Sequence, residues 1–218
     1  MNAKGFNQGS AGNISLRFGE AMLITPSGVD YDDLTPEMIL AQAFDAEEAA
    51  RDGKLGVNAS SEWRFHRGIF RARPDVAAVV HSHAPYATVL SMLRRPIPAS
   101  HYMIAAFGGP RIECTDYAPF GTQALSELAV AGLSDRMGVL LGSHGMIAVG
   151  PGLDRALWLA GELETLAKLH YLAGLAGAPV VLGDEHIAEL VVKFADYGPG
   201  SGQGKALSGQ KNGAGTKG

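Results

Sequence analysis

The chain has 218 residues, 46% of them hydrophobic and 18% charged, with a net charge of −4 and a single cysteine, Cys114. That is enough chain for one substantial core, while the acidic balance excludes a bulk polyanion footprint and therefore nucleic-acid binding by charge. One cysteine excludes an internal disulfide framework and fits a reducing compartment, and no apolar run approaches the roughly 20 residues of a membrane helix. The polar, glycine-rich start reads as no secretory signal, so the cytoplasm is the expected location.

In chain order, residues 5–13 (GFNQGSAGN) are a loop of small residues suited to close approach to another group. Ile14, Leu16 and Phe18 alternate with polar neighbours, and a Gly19-Glu20 turn leads into Met22-Leu23-Ile24, which predicts a hairpin. Thr35 is placed to cap a short turn from Pro36, and residues 39–44 read as a strand. A helix is expected after Ser60-Ser61, with serine as its cap, running to about Arg73 and stopped by Pro74. Residues 76–80 form a strand, Pro85 opens a helix to about Leu93, and 101–109 (HYMIAAFGG) fits no single element. Residues 121–133 have helical spacing, 138–141 and 146–149 pair as short strands, and 153–174 form the longest helix. Asp184 caps a last helix to about Tyr197. Residues 1–198 are thus one domain, followed by a Gly/Ser/Lys-rich tail over 199–218 that is expected to be disordered.

The chemistry concentrates at Val79-Val80-His81-Ser82-His83. Residues i and i+2 on a strand share a face, so His81 and His83 point together and suit a Zn²⁺-like ion. Alone, a His-x-His pair is equally at home in an ordinary core. His144, in Gly142-Ser143-His144-Gly145, supplies a third imidazole and Glu62 an acid, a set that describes an open, catalytic metal site. Three small-residue turns, Gly12-Asn13, Ser27-Gly28 and Ser60-Ser61, could cradle a phosphate with backbone N–H groups and hydroxyls, although each singly is an ordinary turn. Glu62 follows Ser61 directly; it either complements a helix dipole or, beside a metal and a phosphate, acts as a general base. His66, His101, His170 and His186 read as structural or surface histidines, Met92 and Met103 as packing, Trp63 and Trp158 as core anchors, and Cys114 as inert.

The motifs GSAGNISLR, MLITPSGVDYDDL, SSEWRFH, AVVHSHAPYA, IPASHYMIAAFGG, FGT, GSHGMIAVG, ALWLAGELETLAK and DEHIAELVVKFADYG occur in that order between Asn7 and Gly198. Together they resemble the class II aldolase/adducin family, and within it the members that cleave ketose 1-phosphates. The resemblance implies a three-layer α/β/α domain around a mixed, largely antiparallel sheet, assembled as a homotetramer with active sites at subunit interfaces. It implies Zn²⁺ on His81, His83 and His144, one ion per chain, with Glu62 as a displaceable fourth ligand and proton carrier. It also implies a sugar phosphate held by Gly12, Asn13, Ser27, Gly28, Ser60 and Ser61. Tyr102 matches a tyrosine that handles the aldehyde-oxygen proton in a neighbouring subunit's site, and Phe120 and Tyr197 match residues near the aldehyde pocket. The family pattern also places a helix ahead of the Asn7 loop, where six residues stand here.

Same-fold rivals are a pentulose-phosphate 4-epimerase, a 3-oxo-tetronate-phosphate decarboxylase, a methylthioribulose-phosphate dehydratase and a deoxyribulose-phosphate aldolase. The epimerase pattern has Asp at the Glu62 position and an acid at Met103, and this chain has neither. A non-catalytic adducin-like interaction domain is the rival of a different class, and it needs none of the metal or phosphate positions. No lysine stands in the motifs that carry the metal and phosphate candidates, which disfavours a Schiff-base mechanism.

Overall fold

The computed structural model describes residues 1–51, 53–194 and 197–199, so the predicted 199–218 tail, Pro199 apart, lies outside the described residues. A short 3₁₀ turn, Asn2–Lys4, precedes the Asn7 loop. β1 (Asn13–Phe18) and β2 (Ala21–Ile24) form the expected hairpin, and β3 (Leu40–Ala43) pairs onto β2. α1 (Trp63–Ala72), β4 (Ala78–Ser82) and α2 (Pro85–Met92) follow. Next come β5 (Ile97–Pro98), a 3₁₀ helix Tyr102–Phe107 and β6 (Arg111–Cys114). The described chain ends with α3 (Gln123–Gly132), β7 (Gly138–Leu141), β8 (Gly145–Gly150), α4 (Leu153–Ala176) and α5 (Asp184–Phe194).

The strands make one eight-stranded sheet in the order β3-β2-β1-β4-β8-β7-β6-β5. Every pairing is antiparallel except β6 with β7, so the sheet is mixed and largely antiparallel, as the motif resemblance implies. Both faces are covered. Val80, Leu140, Met146 and Ala148 pack beneath α4 with Leu159 and Leu163. Their sequence neighbours Val79, Val139, Leu141, Ile147 and Val149 point the other way, against Trp63, Phe65 and Ile69 of α1 and Leu125 of α3. The period-2 alternation therefore separates two apolar cores across a sheet whose central strands are buried on both sides. Glu164 of α4 ties helix to helix, its two carboxylate oxygens accepting the Tyr86 and Ala87 N–H groups at the start of α2, each at 2.9 Å.

Several expectations change. Serine does not cap α1: Ser60 Oγ accepts from the Glu62 N–H at 3.3 Å, which closes a turn one step earlier and leaves Glu62 itself at the cap position. Residues 101–109 wind into the 3₁₀ helix, closed by Gly108 at φ 88°. β5 forms one edge of the sheet with β6 beside it, and both are too short to show alternation. Met92 is 63% exposed at the end of α2 and does not pack in the core. Among the described residues, no helix is long and apolar enough to cross a membrane.

Candidate active site

His81 stands at the C-terminal end of β4, the central strand flanked by β1 and β8, and His83 directly follows that strand's last residue. His144 comes from the β7–β8 turn, where Ser143 takes a left-handed conformation (φ 55°) that sends the chain back toward β4. The three rings form a nearly equilateral triangle, with centroids 5.0, 4.8 and 5.0 Å apart and edges turned to one another. His81 Nδ1 lies 2.9 Å from the Met146 carbonyl. A carbonyl only accepts, so Nδ1 carries the proton and Nε2 faces the centre, the arrangement expected of an oriented metal ligand. His83 is anchored through its backbone N–H, which donates to Asn7 Oδ1 at 3.0 Å.

Glu62 closes the triangle. Its Oε2 lies 3.2 Å from His81 Nε2 and its Oε1 lies 3.3 Å from His144 Nε2. Asn13 Nδ2 donates to Oε2 at 2.9 Å. Burial acts to raise the carboxyl pKa, but His81, His144 and the Asn13 amide outweigh it and hold the group well below the usual carboxylate range. Burial, and then the neighbouring His81, push His83 and His144 down to about 4. At neutral pH the site therefore offers one carboxylate and imidazole lone pairs.

These residues fit a metal ion. The three imidazoles each bring a ring nitrogen into a group whose ligand atoms all lie within 4.8 Å of one another. His81 Nε2 and His83 Nε2 stand 3.1 Å apart, close to the roughly 3.3 Å that two nitrogens adopt on a tetrahedral zinc with bonds of about 2.0–2.1 Å. Glu62 Oε1 is buried and accepts no hydrogen bond. A buried carboxylate oxygen without a donor is costly, and a cation at the triangle's centre would satisfy it.

Beside the triangle opens a cavity of about 370 Å³ lined by Gly12, Asn13, Ser27, Gly28, Ser60, Ser61, Glu62, His83 and His144. The three small-residue turns therefore converge on the histidines. Two of them are stitched together: Ser27 N–H donates to Asn58 O at 2.9 Å and Ser60 N–H to Thr25 O at 3.1 Å, around a Pro26–Ala59 bridge. Among the described residues, no lysine or arginine lines the cavity. An anion there would be held by main-chain dipoles and hydroxyls. Asn13 differs from expectation in one respect: its carboxamide is committed to Glu62 on one side and His66 on the other.

Phe120 also lines the cavity, with Tyr117, and the two rings are 70% and 56% exposed at its mouth. Tyr102 and Tyr197 are not among the lining residues; they lie half-exposed against Phe194, at ring-centroid distances of 6.2 and 5.2 Å. Sequence reasoning missed Ser10, Tyr117 and Ser143 as lining residues, Asn7 as the anchor of His83, and His66 as Asn13's partner. Spacing on β1 could have found the last, because Asn13 and Ser15 share the strand face that receives α1.

The α/β/α domain thus brings a group of three imidazoles that could hold a metal, a carboxylate and three small-residue turns together beside one cavity, the layout of an enzyme site. The chain belongs to the class II aldolase and adducin family, whose N-terminal domain matches residues 1–171. It is 49% identical over 199 residues to the L-fuculose phosphate aldolase of Escherichia coli O6:H1, covering 91% of this chain and 90% of that one. It is 46% identical over 194 residues to a 5-methylthioribulose-1-phosphate/5-deoxyribulose-1-phosphate aldolase of Rhodospirillum rubrum, covering 89% and 86%. A solved L-fuculose 1-phosphate aldolase superposes with a TM-score of 0.79 at 36% identity, covering 87% of this chain and 88% of that one. The protein is thus an aldolase, a carbon–carbon lyase of the class II family.

Proposed function

We propose that this aldolase is zinc-dependent and cleaves a ketose 1-phosphate of the L-fuculose 1-phosphate type to dihydroxyacetone phosphate and a short aldehyde such as L-lactaldehyde. The observation that carries this reading is the convergence of Gly12, Ser27, Gly28, Ser60 and Ser61 on the same cavity as Glu62, His83 and His144. One end is built for a dianion and the other for an electrophilic centre, which matches a phosphate separated from a carbonyl by one carbon. Similarity to the Escherichia coli relative favours the fuculose substrate.

His81, His83 and His144 would hold the ion, with Glu62 beside them. When bound, it supplies Lewis acidity for the negative charge that C3–C4 cleavage leaves on the ketose oxygens. Glu62, ionised at neutral pH, serves as the proton carrier at C3: in condensation its carboxylate removes the C3 proton of dihydroxyacetone phosphate, and in cleavage the same group, having first taken up a proton from solvent, returns it to C3. In condensation a phenol supplies the proton that turns the aldehyde oxygen into the C4 hydroxyl, and in cleavage its phenolate takes that proton back. Tyr102, which does not line the cavity of its own chain, takes that role from a neighbouring subunit of a homotetramer. The enzyme is cytoplasmic in this reading.

The test is zinc content of the purified protein together with a coupled assay of dihydroxyacetone phosphate release from L-fuculose 1-phosphate. About one zinc per chain with release is expected; release that survives complete removal of metal would sink the proposal. The Rhodospirillum rubrum relative supports a second reading, in which 5-deoxyribulose 1-phosphate or its 5-methylthio analogue is the better substrate. The two share the phosphate half and differ at the aldehyde half, where Tyr117 and Phe120 stand. A ratio of kcat/KM values below one for the fuculose substrate would select the second.

A further inference from the structure

We infer that His66 is a positioning residue for this chemistry, fixing the Asn13 carboxamide so that its NH₂ group, and not its oxygen, faces Glu62. The inference rests on the proposed role of Glu62 as proton carrier. Three hydrogen bonds link four side chains in series. Ser15 Oγ lies 2.6 Å from His66 Nδ1, His66 Nε2 bonds Asn13 Oδ1, and Asn13 Nδ2 lies 2.9 Å from Glu62 Oε2. Ser15, His66, Asn13 and Glu62 are 1, 0, 4 and 7% exposed, so bulk water does not compete for these bonds.

The carboxylate end sets the direction of every donor. An ionised carboxylate only accepts, so Asn13 must offer its NH₂, which leaves Oδ1 to accept. His66 must then donate from Nε2, and its bare Nδ1 accepts the Ser15 hydroxyl. Of the two neutral tautomers only Nε2–H satisfies the series, and burial, which pushes His66 down to about 3, disfavours the cationic ring that would donate at both nitrogens. No proton needs to move along the chain. Its effect is to polarise successive donors toward the carboxylate and to prevent a 180° flip of the amide, which would set Oδ1 against Oε2. A histidine with a merely structural role could end on any backbone carbonyl; this one ends on the side chain that holds Glu62. The placement follows from the fold: Asn13 and Ser15 share one face of β1, and His66 comes from the first turn of α1 above them.

The first measurement is the ¹⁵N spectrum of the histidine side chains in the intact enzyme between about pH 5 and pH 9. His66 should show a protonated Nε2 and an unprotonated Nδ1 throughout; the opposite tautomer or a cationic ring would overturn the inference. The second is kinetic. His66→Leu should retain zinc and lower kcat by about 10- to 100-fold, the usual cost of losing a residue that orients a metal-site ligand, with KM changing less than about three-fold. His66→Gln, whose amide can present a donor to Asn13 Oδ1, should recover most of that loss. In an Asn13→Ala background the His66→Leu change should cost little more, because its target is gone. An unchanged kcat for His66→Leu, or full additivity with Asn13→Ala, would overturn the positioning role. If His66→Leu fails to fold, the tautomer and His66→Gln still decide. If the enzyme proves inactive on every ketose 1-phosphate, the reaction proposal fails while the ring-nitrogen spectrum still judges the network.

Discussion

Asn13 and His81 are directly opposite partners in the β1–β4 ladder. Opposed residues in an antiparallel pair project to the same face, so this one register places the amide that grips Glu62 beside the first imidazole of the triangle. A slip by one residue would send both His81 and Asn13 to the wrong face. Gly12 guards the register. At φ +73° a Cβ there would lie 2.5 Å from the His81 carbonyl and 2.6 Å from the Asn7 amide that anchors His83. Gly12→Ala should therefore lower zinc affinity at least about ten-fold and destabilise the fold by about 1–3 kcal/mol, measured by metal competition and denaturant unfolding. Gly174, inside α4 with open space where a Cβ would stand, is the control: Gly174→Ala should stabilise by about 0.5–1 kcal/mol. Equal effects at the two positions would remove the special role of Gly12.

Glu62 and His83 should separate chemistry from metal retention. Glu62→Gln preserves shape but removes the ionised base, so zinc should stay while turnover falls by about 10²- to 10⁴-fold. His83→Ala removes one of the three nitrogens that could hold the ion, and zinc content and activity should fall together. Normal turnover by Glu62→Gln would refute its assignment as proton carrier.

Acid should destabilise the metal-stripped protein through its buried histidines. In the unfolded chain each histidine takes up a proton as pH falls through about 6.5. In the folded chain burial holds His66 off until about 3 and His83 and His144 until about 4. Between those limits the unfolded state binds more protons, so stability declines as pH falls from 6.5, with a slope approaching about three protons near pH 5, and is flat in this contribution above pH 7. Glu62 adds loss in the same direction: its depressed folded pKa contributes stability above the ordinary carboxylate range that is lost as pH falls below it. Urea midpoints at half-unit steps from pH 8 to pH 5 would check this, and a midpoint that rose on acidification would contradict it.

Much of this arrangement was legible because it is local. Alternation marked β1, two short buried apolar runs marked the β7–β8 pair, proline placed the start of α2, and His81-x-His83 announced a shared strand face before any contact was known. What stayed hidden depends on distance in sequence. His66 reads as one more helix residue until α1 is laid across β1, 51 positions from Ser15, and its polar partners show only then. β5 and β6, at two and four residues, are too short for a period, and the Tyr102–Phe107 turn is apolar because α5 packs on it. The Ser60-Ser61 turn failed as a cap for a related reason: a helix start in sequence looks the same whether serine bonds the helix or closes the turn before it.

Tyr102 offers the sharpest test of whether one chain holds a complete site. Its ring is 50% exposed on the Tyr102–Phe107 turn, against Phe194 and His101, and outside the cavity that holds Glu62. If it acts on the aldehyde oxygen across a subunit boundary, Tyr102→Phe should slow cleavage by about 10²-fold or more while leaving proton exchange at C3 of dihydroxyacetone phosphate nearly intact, because that exchange needs only Glu62. The two defects would then lie on different chains of each shared site. Mixing Tyr102→Phe with Glu62→Gln subunits under conditions that let them reassemble should give activity above the sum of the parents, since some interfaces then pair an intact Glu62 with an intact Tyr102. Equal losses of cleavage and exchange in Tyr102→Phe, or no gain on mixing, would return the aldehyde proton to a residue of the same chain, with Tyr117 at the cavity mouth the first to try.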